Sequence, residues 1–313
     1  MTILVTGNCG YIASHVCDLL AQLDIPAVGL DNLHRGLMSN AKCMTVVGDL
    51  RRKSDIESVF EDYSISAVMH FAALTSVPES MEKKDEYFDV NLDGTINLIE
   101  TMKAHGCNKL IFSSTASIYE QSNEPVRETD PFKPLNNYAL TKKMAEDYIR
   151  NQDWLQSVIF RYFNVVGFAE NYDTSKEFEK TNIVPALLRT LENGDPFYVF
   201  GNNYPVKRED AEDKTCVRDY IDVRDLAEAH LLGLKYIDSH KGCKELFNLG
   251  TKHGSSVLEF IKAFEKANNV KINYEIKERR KGDPASVVAD NKKAKELLGW
   301  QPKYTLEESL KVR

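Results

Sequence analysis

Residues 3–13 read ILVTGNCGYIA: a short apolar run, two glycines three residues apart, and the start of an amphipathic stretch. A glycine turn between a buried strand and a helix lets the backbone approach a pyrophosphate at the positive end of the helix. Gly7 and Gly10 are the glycines of that turn, and Ala13 stands where a third small residue permits close helix–strand contact. The stretch therefore predicts a dinucleotide-binding βαβ unit, with an ordinary glycine-containing turn as the alternative.

Strand and helix patterns alternate up to Arg161, and polar, turn-rich segments between short helices follow Asn164. Such alternation predicts a parallel sheet covered on both faces. We therefore expect an α/β fold, a Rossmann-type doubly wound parallel sheet with a smaller mixed α/β substrate lobe. The charged run Lys207–Asp210 is interpreted as a solvated surface loop. The predicted nucleotide domain comprises residues 1–164 plus about 219–250, and the predicted lobe comprises residues 165–218 plus 251–313.

The composition is ordinary for a globular protein, with 313 residues, 42% apolar and 28% charged. The net charge of −7 gives no electrostatic reason to expect nucleic acid or an anionic membrane as a partner. No apolar stretch approaches the ~20 residues that span a bilayer, and no signal-peptide pattern precedes the first strand. The six cysteines form no Cys-x-x-Cys pair, so we expect no metal site and no disulfide framework. A reduced, cytoplasmic protein is the simplest interpretation.

Asp31 ends the second apolar run, about 20 residues after the glycines. A carboxylate at this position accepts hydrogen bonds from the adenosine ribose and repels a 2′-phosphate. The sequence therefore favours NAD over NADP, and Arg35 does not stand in the usual place for binding that phosphate. Asp49 follows the third strand and is expected to border the adenine, although a lone aspartate there is more often a turn residue.

Tyr138 and Lys142 lie four residues apart in a segment that reads as the start of a helix, so they share one helical face. A free tyrosine titrates near pH ~10. A neighbouring ammonium lowers the pKa of the phenol, which makes it a candidate base. The spacing alone more often places two solvated side chains.

Thr115 ends the fifth strand, where ligands bind in parallel sheets. Its hydroxyl is suited to hydrogen-bond a substrate hydroxyl opposite Tyr138, with local backbone capping as the alternative.

Three motifs together, Thr-Gly-x-x-Gly-Tyr-Ile, Ser-Ser-Thr-Ala and Tyr-x-x-x-Lys, resemble the extended short-chain dehydrogenase/reductase family. The resemblance is closest to the branch that epimerises UDP-sugars, and it extends along nearly the whole chain. The matching segments are Leu30–Leu33, Gly48–Arg51, His70–Ala73, Asn91–Thr95, Arg161–Asn164, Phe200–Tyr204, Cys216–Ile221, Phe247–Gly250 and Arg279–Asp283. This resemblance implies NAD-dependent inversion at C4 of a UDP-hexose, UDP-glucose or UDP-galactose, through a transient 4-keto sugar.

The resemblance also implies roles for individual residues. Tyr138 takes the proton from the sugar's 4-hydroxyl, Lys142 lowers the pKa of that tyrosine and holds the nicotinamide ribose, and Thr115 positions the hydroxyl or relays its proton. The expected NAD-binding residues are Gly7, Gly10, Tyr11, Ile12, Asp31, Asn32, Asp49, Leu50, Phe71, Ala72, Ala73, Asn91, Ser113, Tyr138, Lys142 and Tyr162. The expected substrate-binding residues are Thr115, Asn164, Asn182, Ile183, Tyr198, Phe200, Arg218, Arg280, Asp283 and Val287.

The residues at single positions distinguish this chain from other branches of the family. Dehydratases carry Asp-Glu after the strand-end hydroxyl, whereas Ala116 and Ser117 supply neither an acid nor a base at neutral pH. A position beyond Asp283 gates the sugar pocket in the family. It falls on Val287 or Ser286, and a small residue there is expected to admit UDP-N-acetylhexosamines. A 4-epimerase of UDP-N-acetylglucosamine, another nucleotide-sugar enzyme and a non-catalytic NAD-sensing module remain alternatives.

Four positions depart from the family's pattern: Thr75, Glu120, Lys214 and Asp222. None of them removes a catalytic group. The resemblance further implies a homodimer formed through the helices at Asn91–Ala104 and Tyr138–Asn151.

Overall fold

The computed structural model describes residues 2–120, 122, 124–168, 172–173, 182–206, 213–280 and 283–312. Two sequence predictions fall outside these residues, the solvated loop at Lys207–Asp210 and Gly282 of the Arg-Arg-x-Gly-Asp motif. The chain folds into two units. The first comprises Met1–Ile118, Phe132–Arg161 and Leu226–Phe247, and the second comprises Tyr119–Pro131, Tyr162–Asp225 and Asn248–Arg313.

Strands and helices alternate along the first part of the chain, as the sequence predicted. Up to residue 162 they are β1 (Thr2–Thr6), α1 (Tyr11–Gln22), β2 (Ala27–Asp31), β3 (Met44–Val47), α2 (Lys53–Asp62), β4 (Ile65–His70), α3 (Val77–Glu82), α4 (Lys84–Phe88), α5 (Gly94–Ala104), β5 (Lys109–Thr115), α6 (Asn137–Arg150) and β6 (Gln156–Tyr162). Thereafter they are β7 (Asn164–Val166), α7 (Ile183–Asn193), β8 (Phe197–Phe200), β9 (Val217–Asp222), α8 (Val223–Ser239), β10 (Lys244–Leu249), β11 (Gly254–Ser256), α9 (Val257–Asn268), β12 (Tyr274–Lys277), β13 (Ser286–Val287), α10 (Lys292–Leu298) and α11 (Leu306–Ser309).

The first unit is built on a seven-stranded sheet in the order β3-β2-β1-β4-β5-β6-β10. Strand β1 is parallel to both of its neighbours, with Leu4 opposite Val28 in β2 and Val68 in β4. The order of the strands reverses beside β1, so the carboxyl end of β1 lies at the switch point where such sheets bind nucleotides. The predicted Rossmann-type sheet is confirmed.

Apolar side chains on both faces of this sheet form the core of the first unit. Leu4, Val68, Leu110 and Phe112 are fully buried, together with Ile56 from α2. Strands buried on both faces read as continuous apolar runs, which is why the sequence marked them clearly. No helix within the described ranges is long and apolar enough to cross a membrane.

The second unit is a smaller mixed α/β lobe, as predicted. Strand β9 pairs antiparallel with β11 and parallel with β13 and β7, and β8 pairs parallel with β12. Helix α9 begins with a capping box between Ser256 and Glu259, which satisfies the first amides of the helix. Its buried face contributes Phe260 and Phe264 to the core of the lobe.

The division into units differs from the predicted domains at four places, residues 119–131, 162–164, 219–225 and 248–250, all of which belong to the second unit. Residues 119–131 were assigned to the nucleotide domain but belong to the second unit, because Val126 N donates to Val288 O and Asp290 N donates to Val126 O, both at 2.8 Å. Residues 219–225 also belong to the second unit, because β9 is the strand around which its sheet is built.

Lys214 occupies a position that favours glycine. It has a φ of 49°, in the left-handed region, within the turn that leads into β9. Glycine adopts this conformation without strain, whereas other L-residues pay roughly 1–2 kcal/mol. Lys214 is therefore a source of local backbone strain.

We expect Lys214→Gly to raise the free energy of unfolding by about 0.5–1 kcal/mol, because relief of the strain outweighs the added freedom of the unfolded chain. Lys214→Ala keeps the strained φ and is expected to give no gain. Urea unfolding of the two variants checks this, and a less stable glycine variant would contradict it.

Candidate active site

The turn between β1 and α1 fits an anion. Gly7 has a φ of 70°, its N–H donates to Leu30 O at 2.8 Å, and Gly10 N donates to Gly7 O at 2.9 Å. Gly10 is the residue that caps α1, and it has no side chain to accept from the first amides of the helix. Those amides and the helix dipole favour a group such as a pyrophosphate. Tyr11 and Ile12 are the first residues of α1 and continue this surface.

The loop after β4 packs against the same turn. A Cβ on Gly7 would lie 2.8 Å from Ala72 N, so only glycine fits there. Thr6 Oγ1 accepts from Ala72 N at 3.3 Å. Phe71 and Ala73 flank Ala72 and are half-buried. The predicted cofactor residues of this loop thus lie beside the turn.

His70 is a buried link that sequence reasoning did not single out. Burial lowers its pKa to about 3, so the ring is neutral. Its Nε2 lies 2.9 Å from Thr95 Oγ1, which donates its own proton to Asn91 O at 2.7 Å. The ring proton therefore lies on Nε2, and Nδ1 accepts from Thr6 Oγ1 at 2.6 Å. The histidine fixes the strand that ends in the glycine turn.

Asp31 is buried at the end of β2. Its carboxylate accepts from Cys9 N at 3.0 Å and from Leu33 N at 2.8 Å. Burial raises its pKa, and these two bonds oppose the rise. The carboxylate oxygens keep lone pairs that can accept from ribose hydroxyls. Arg35 forms an ion pair with Glu79.

Asp49 is linked to Asn32, as expected for residues of one site. Asn32 Nδ2 donates to Asp49 Oδ2 at 2.9 Å, and Arg51 holds the carboxylate with Nε at 2.9 Å and Nη2 at 2.7 Å. The Arg51 hydrogen bonds keep the pKa of Asp49 well below its usual range. Leu50 is buried beside them.

Tyr138 and Thr115 are hydrogen-bonded to each other. Asn136 Oδ1 accepts from Ala139 N at 2.8 Å, which starts α6 and places Tyr138 in its first turn. Thr115 Oγ1 accepts from Ser117 N at 3.1 Å, so its own proton is free to bond the phenol oxygen. The sequence predicted a lowered pKa for Tyr138. That prediction is wrong for the protein alone, because burial raises the pKa and the Thr115 bond only opposes the rise.

Lys142 is 2% exposed, and its Nζ lies 4.4 Å from the centre of the Phe112 ring. Burial lowers its pKa to about 7, and the nearby Glu146 opposes that shift. Near neutral pH the Lys142 side chain can therefore exist as the ammonium or as the neutral amine, unlike that of an ordinary lysine.

Glu146 is the centre of a buried polar cluster that the sequence did not predict. Arg161 donates to its carboxylate from Nε at 3.0 Å and from Nη2 at 2.6 Å, and Ser114 Oγ lies 2.5 Å from Oε1. The side chains of Glu146 and Arg161 are 1% and 3% exposed. A two-pronged bond of this kind compensates the cost of burying both charges. It joins α6 to β5 and β6.

Three further predicted cofactor residues have buried or half-buried positions. Asn91 Oδ1 accepts from Leu74 N at 2.8 Å, and its Nδ2 donates to Leu74 O at 2.9 Å and to Thr141 Oγ1 at 3.2 Å. Through these bonds Asn91 holds the loop after β4 against α6. Ser113 is half-buried in β5, and Tyr162 is buried at the end of β6.

The second unit contains a cavity of about 400 Å³ between α7 and β8. Five of the predicted substrate residues line it: Ile183, Tyr198, Phe200, Arg280 and Asp283. Sequence reasoning missed other lining residues, among them Arg189, Thr190, Asn193, Phe197 and Cys216. The amphipathic pattern of Ile183–Asn193 was the available signal, because it marks a helix with one face free for a ligand.

Cationic and aromatic side chains are stacked around this cavity. The Arg280 guanidinium lies 3.8 Å from the centre of the Phe200 ring. Arg218 Nη2 donates to Asp283 Oδ1 at 2.6 Å, and Tyr204 lies 3.2 Å from the other carboxylate oxygen. The arrangement offers a flat aromatic surface for a base and guanidinium groups for phosphate oxygens.

The other five predicted substrate residues are not among the residues that line this cavity: Thr115, Asn164, Asn182, Arg218 and Val287. Asn164 is exposed at the start of β7, Asn182 precedes α7, and Val287 in β13 pairs with Arg218 in β9.

The departures from the family's pattern occupy exposed or ion-paired positions. Thr75 and Glu120 are exposed. Asp222 is buried and is held by Arg224, whose Nε and Nη2 donate at 2.8 and 2.7 Å.

Comparisons with known proteins agree with this geometry. Residues 3–250 match the NAD dependent epimerase/dehydratase family. A UDP-glucose 4-epimerase of Lacticaseibacillus casei is 38% identical, over 97% of this chain and 92% of its own. A UDP-glucose 4-epimerase structure from Stenotrophomonas maltophila, with bound NAD and formylated UDP-arabinopyranose, has a TM-score of 0.93 at 34% identity, over 99% and 96% of the two chains. The UDP-Glc/GlcNAc 4-epimerase of Campylobacter jejuni has a TM-score of 0.84 at 35% identity, over 99% and 97%.

We expect Glu146→Gln to lower the free energy of unfolding by about 3 kcal/mol, because it leaves Arg161 buried without a counter-charge. The matched control is Glu100→Gln, whose carboxylate pairs with Lys53 at 3.4 Å on the surface, and it is expected to cost under about 0.5 kcal/mol. Urea unfolding measures both, and equal effects of the two changes would contradict the assigned role of the buried pair.

Proposed function

The chain belongs to the NAD-dependent epimerase/dehydratase family, and we propose that it is an isomerase that inverts C4 of a UDP-hexose, interconverting UDP-glucose and UDP-galactose. The observation that carries this proposal is the hydrogen bond between Tyr138 and Thr115, one helical turn from the buried Lys142. The names of the curated relatives and the ligands of the Stenotrophomonas structure support it.

The first unit has the groups that NAD needs. The turn at Gly7 and Gly10 suits the pyrophosphate, because residues without side chains let the backbone approach it at the start of the helix. Asp31 suits the adenosine ribose, and its negative charge disfavours the 2′-phosphate of NADP. Lys142 and Tyr138 would hold the nicotinamide ribose. Bound NAD⁺ would accept hydride from C4 and return it to the opposite face, and its positive charge favours the phenolate.

Tyr138 would remove the proton of the sugar's 4-hydroxyl and give it back after inversion. Thr115 directs its own proton to the phenol oxygen, because its Oγ1 already accepts from Ser117 N. That bond lowers the pKa of Tyr138 against the effect of burial. Lys142 can carry a positive charge near neutral pH and would stabilise the phenolate further.

The second unit would bind the UDP portion of the substrate. Phe200 would offer a ring to the uracil, and Arg280, which lines the cavity, would offer its guanidinium to the diphosphate together with Arg218. Asp283, held by Arg218, would accept from the uridine ribose. Ala116 and Ser117 supply no acid–base pair, which argues against dehydration.

Purified protein tests the proposal without added cofactor. An epimerase carries bound NAD(H) and converts UDP-galactose to UDP-glucose as isolated. Consumption of NADPH in proportion to the sugar nucleotide would contradict the proposal and would indicate a reductase.

A homodimer and a cytoplasmic location remain proposals from the sequence. Apolar side chains exposed on α6, one of the two helices expected at the interface, support the dimer: Leu140 and Met144. Sedimentation velocity measures the mass of the protein in solution. A monomer at micromolar concentration would contradict the proposed dimer.

We expect Tyr138→Phe to lower kcat by about 10²–10⁴-fold, because the phenylalanine has no group that accepts the proton. The variant should still bind UDP, whose proposed residues belong to the second unit. Tyr148→Phe, on the same helix, is the control and should keep full turnover. Full activity of Tyr138→Phe would refute the assigned base.

A second candidate substrate class, the UDP-N-acetylhexosamines, is favoured by Val287. This residue is half-buried in β13 opposite Arg218, and its side chain is small. The dual specificity in the name of the Campylobacter relative supports the same reading.

We expect the protein to turn over UDP-N-acetylglucosamine, and Val287→Tyr to suppress that reaction at least about tenfold more than the reaction of UDP-glucose, as a steric block costs 1–3 kcal/mol. Val287→Ile, a smaller change, should keep both activities. NMR of the sugar products reads both reactions. No detectable reaction of the acetylated sugar with the unaltered protein would contradict the expectation.

A further inference from the structure

Two thiols lie close together beneath the glycine turn. Cys17 is buried on α1, Cys43 is half-buried immediately before β3, and their Sγ atoms are 3.7 Å apart. A disulfide has a sulfur–sulfur distance of about 2.05 Å, so a shift of under 2 Å would join them. The pairing is between residues 26 positions apart, and no spacing motif in the sequence announces it.

Cys43 is connected to the turn itself through Asn8, which lies between Gly7 and Gly10. Asn8 Nδ2 donates to Thr45 Oγ1 at 2.7 Å, and the Thr45 hydroxyl donates to Cys43 O at 3.2 Å. The same nitrogen donates to Cys43 Sγ at 3.8 Å. The Asn8 side chain is fully buried and lies flat against Gly29, where a Cβ would overlap it.

The two sulfurs differ in acidity. Hydrogen bonds from the Cys17 thiol and from the Asn8 amide lower the pKa of Cys43, although its burial opposes them. The pKa of Cys17 is raised, because its proton is held between the two sulfurs and the site is buried. Burial also raises the pKa of Cys243, which is half-buried like Cys43. Cys43 is thus the better nucleophile of the two half-buried cysteines.

We propose that Cys17 and Cys43 form an oxidisable dithiol site next to the dinucleotide turn, which peroxides close to a disulfide. The Cys43 thiolate attacks one oxygen of hydrogen peroxide, the O–O bond breaks, and hydroxide leaves, so that Cys43 becomes a sulfenic acid. The Cys17 sulfur then attacks the Cys43 sulfur, the S–O bond breaks, and water leaves with the Cys17 proton. In total, two thiols and one peroxide give one disulfide and two waters.

Oxidation changes what Asn8 can bond. The sulfur of Cys43 moves toward Cys17, and a disulfide sulfur is a poorer acceptor for the Asn8 amide than a thiolate is. Loss of a buried hydrogen bond costs about 0.5–1.5 kcal/mol. Asn8 is part of the turn that suits the pyrophosphate, so the disulfide should weaken the binding of NAD⁺. This expectation rests on the proposed cofactor.

Peptide mapping without reduction tests the site itself. Short treatment with iodoacetamide at neutral pH should label Cys43 faster than Cys243. Treatment with hydrogen peroxide should yield a Cys17–Cys43 peptide pair that dithiothreitol separates. Cys17→Ser should leave Cys43 as a sulfenic acid, which dimedone traps. Slower labelling of Cys43, a Cys9–Cys43 pair, or no disulfide would each overturn the proposal, whether or not the protein is an epimerase.

The affinity for NAD⁺ tests whether oxidation of the two cysteines affects the glycine turn. After peroxide treatment, the dissociation constant of NAD⁺, measured by ultrafiltration, should rise roughly threefold to tenfold, which corresponds to one lost hydrogen bond. Dithiothreitol should reverse the rise, and Cys43→Ser, which can form neither the sulfenic acid nor the disulfide, should show no rise on peroxide treatment. An unchanged constant in protein with a mapped Cys17–Cys43 disulfide would overturn the link between the site and the turn.

Discussion

The buried ion pair between Glu146 and Arg161 is the constraint on which the reactive part of the first unit depends. It fixes α6 against β6, and the bond of Ser114 to the same carboxylate fixes α6 against β5. Thr115 follows Ser114 in the chain, and Lys142 lies one turn before Glu146 on the helix. Three elements that are distant in sequence thus hold the phenol, the hydroxyl and the ammonium in one place. Without this cluster, the Tyr138–Thr115 hydrogen bond has no fixed geometry.

The same cluster sets the electrostatics of the site. Lys142 is almost fully buried, and its charge is tolerated because the Glu146 carboxylate opposes the effect of burial on its pKa. Burial outweighs this support, so the pKa of Lys142 falls to about 7. His70 is kept neutral by burial. The site therefore has one cation whose charge responds to its surroundings, which is what a proton-transfer centre requires.

The parts of the fold and of the candidate site that depend on neighbouring residues in the chain could be predicted from the sequence. The glycine turn, Asp31 and the Tyr138–Lys142 spacing are short motifs, and the apolar strands are continuous runs. The rest depends on pairing across long separations. The sequence did not show that Glu146 meets Arg161, because two charged residues on a helix and a strand are usually solvated. It also did not show that residues 119–131 join the second unit, since that needs a backbone bridge from Val126 to Val288.

The most direct test of the account is the fate of the hydrogen at C4. If Tyr138 moves only the hydroxyl proton and hydride returns to the carbon it left, UDP-galactose deuterated at C4 should give UDP-glucose with deuterium retained at C4. The reaction should need no added cofactor, and NMR of the product shows the label directly. Loss of the deuterium to water, or its appearance in free NADH, would contradict the proposed reaction.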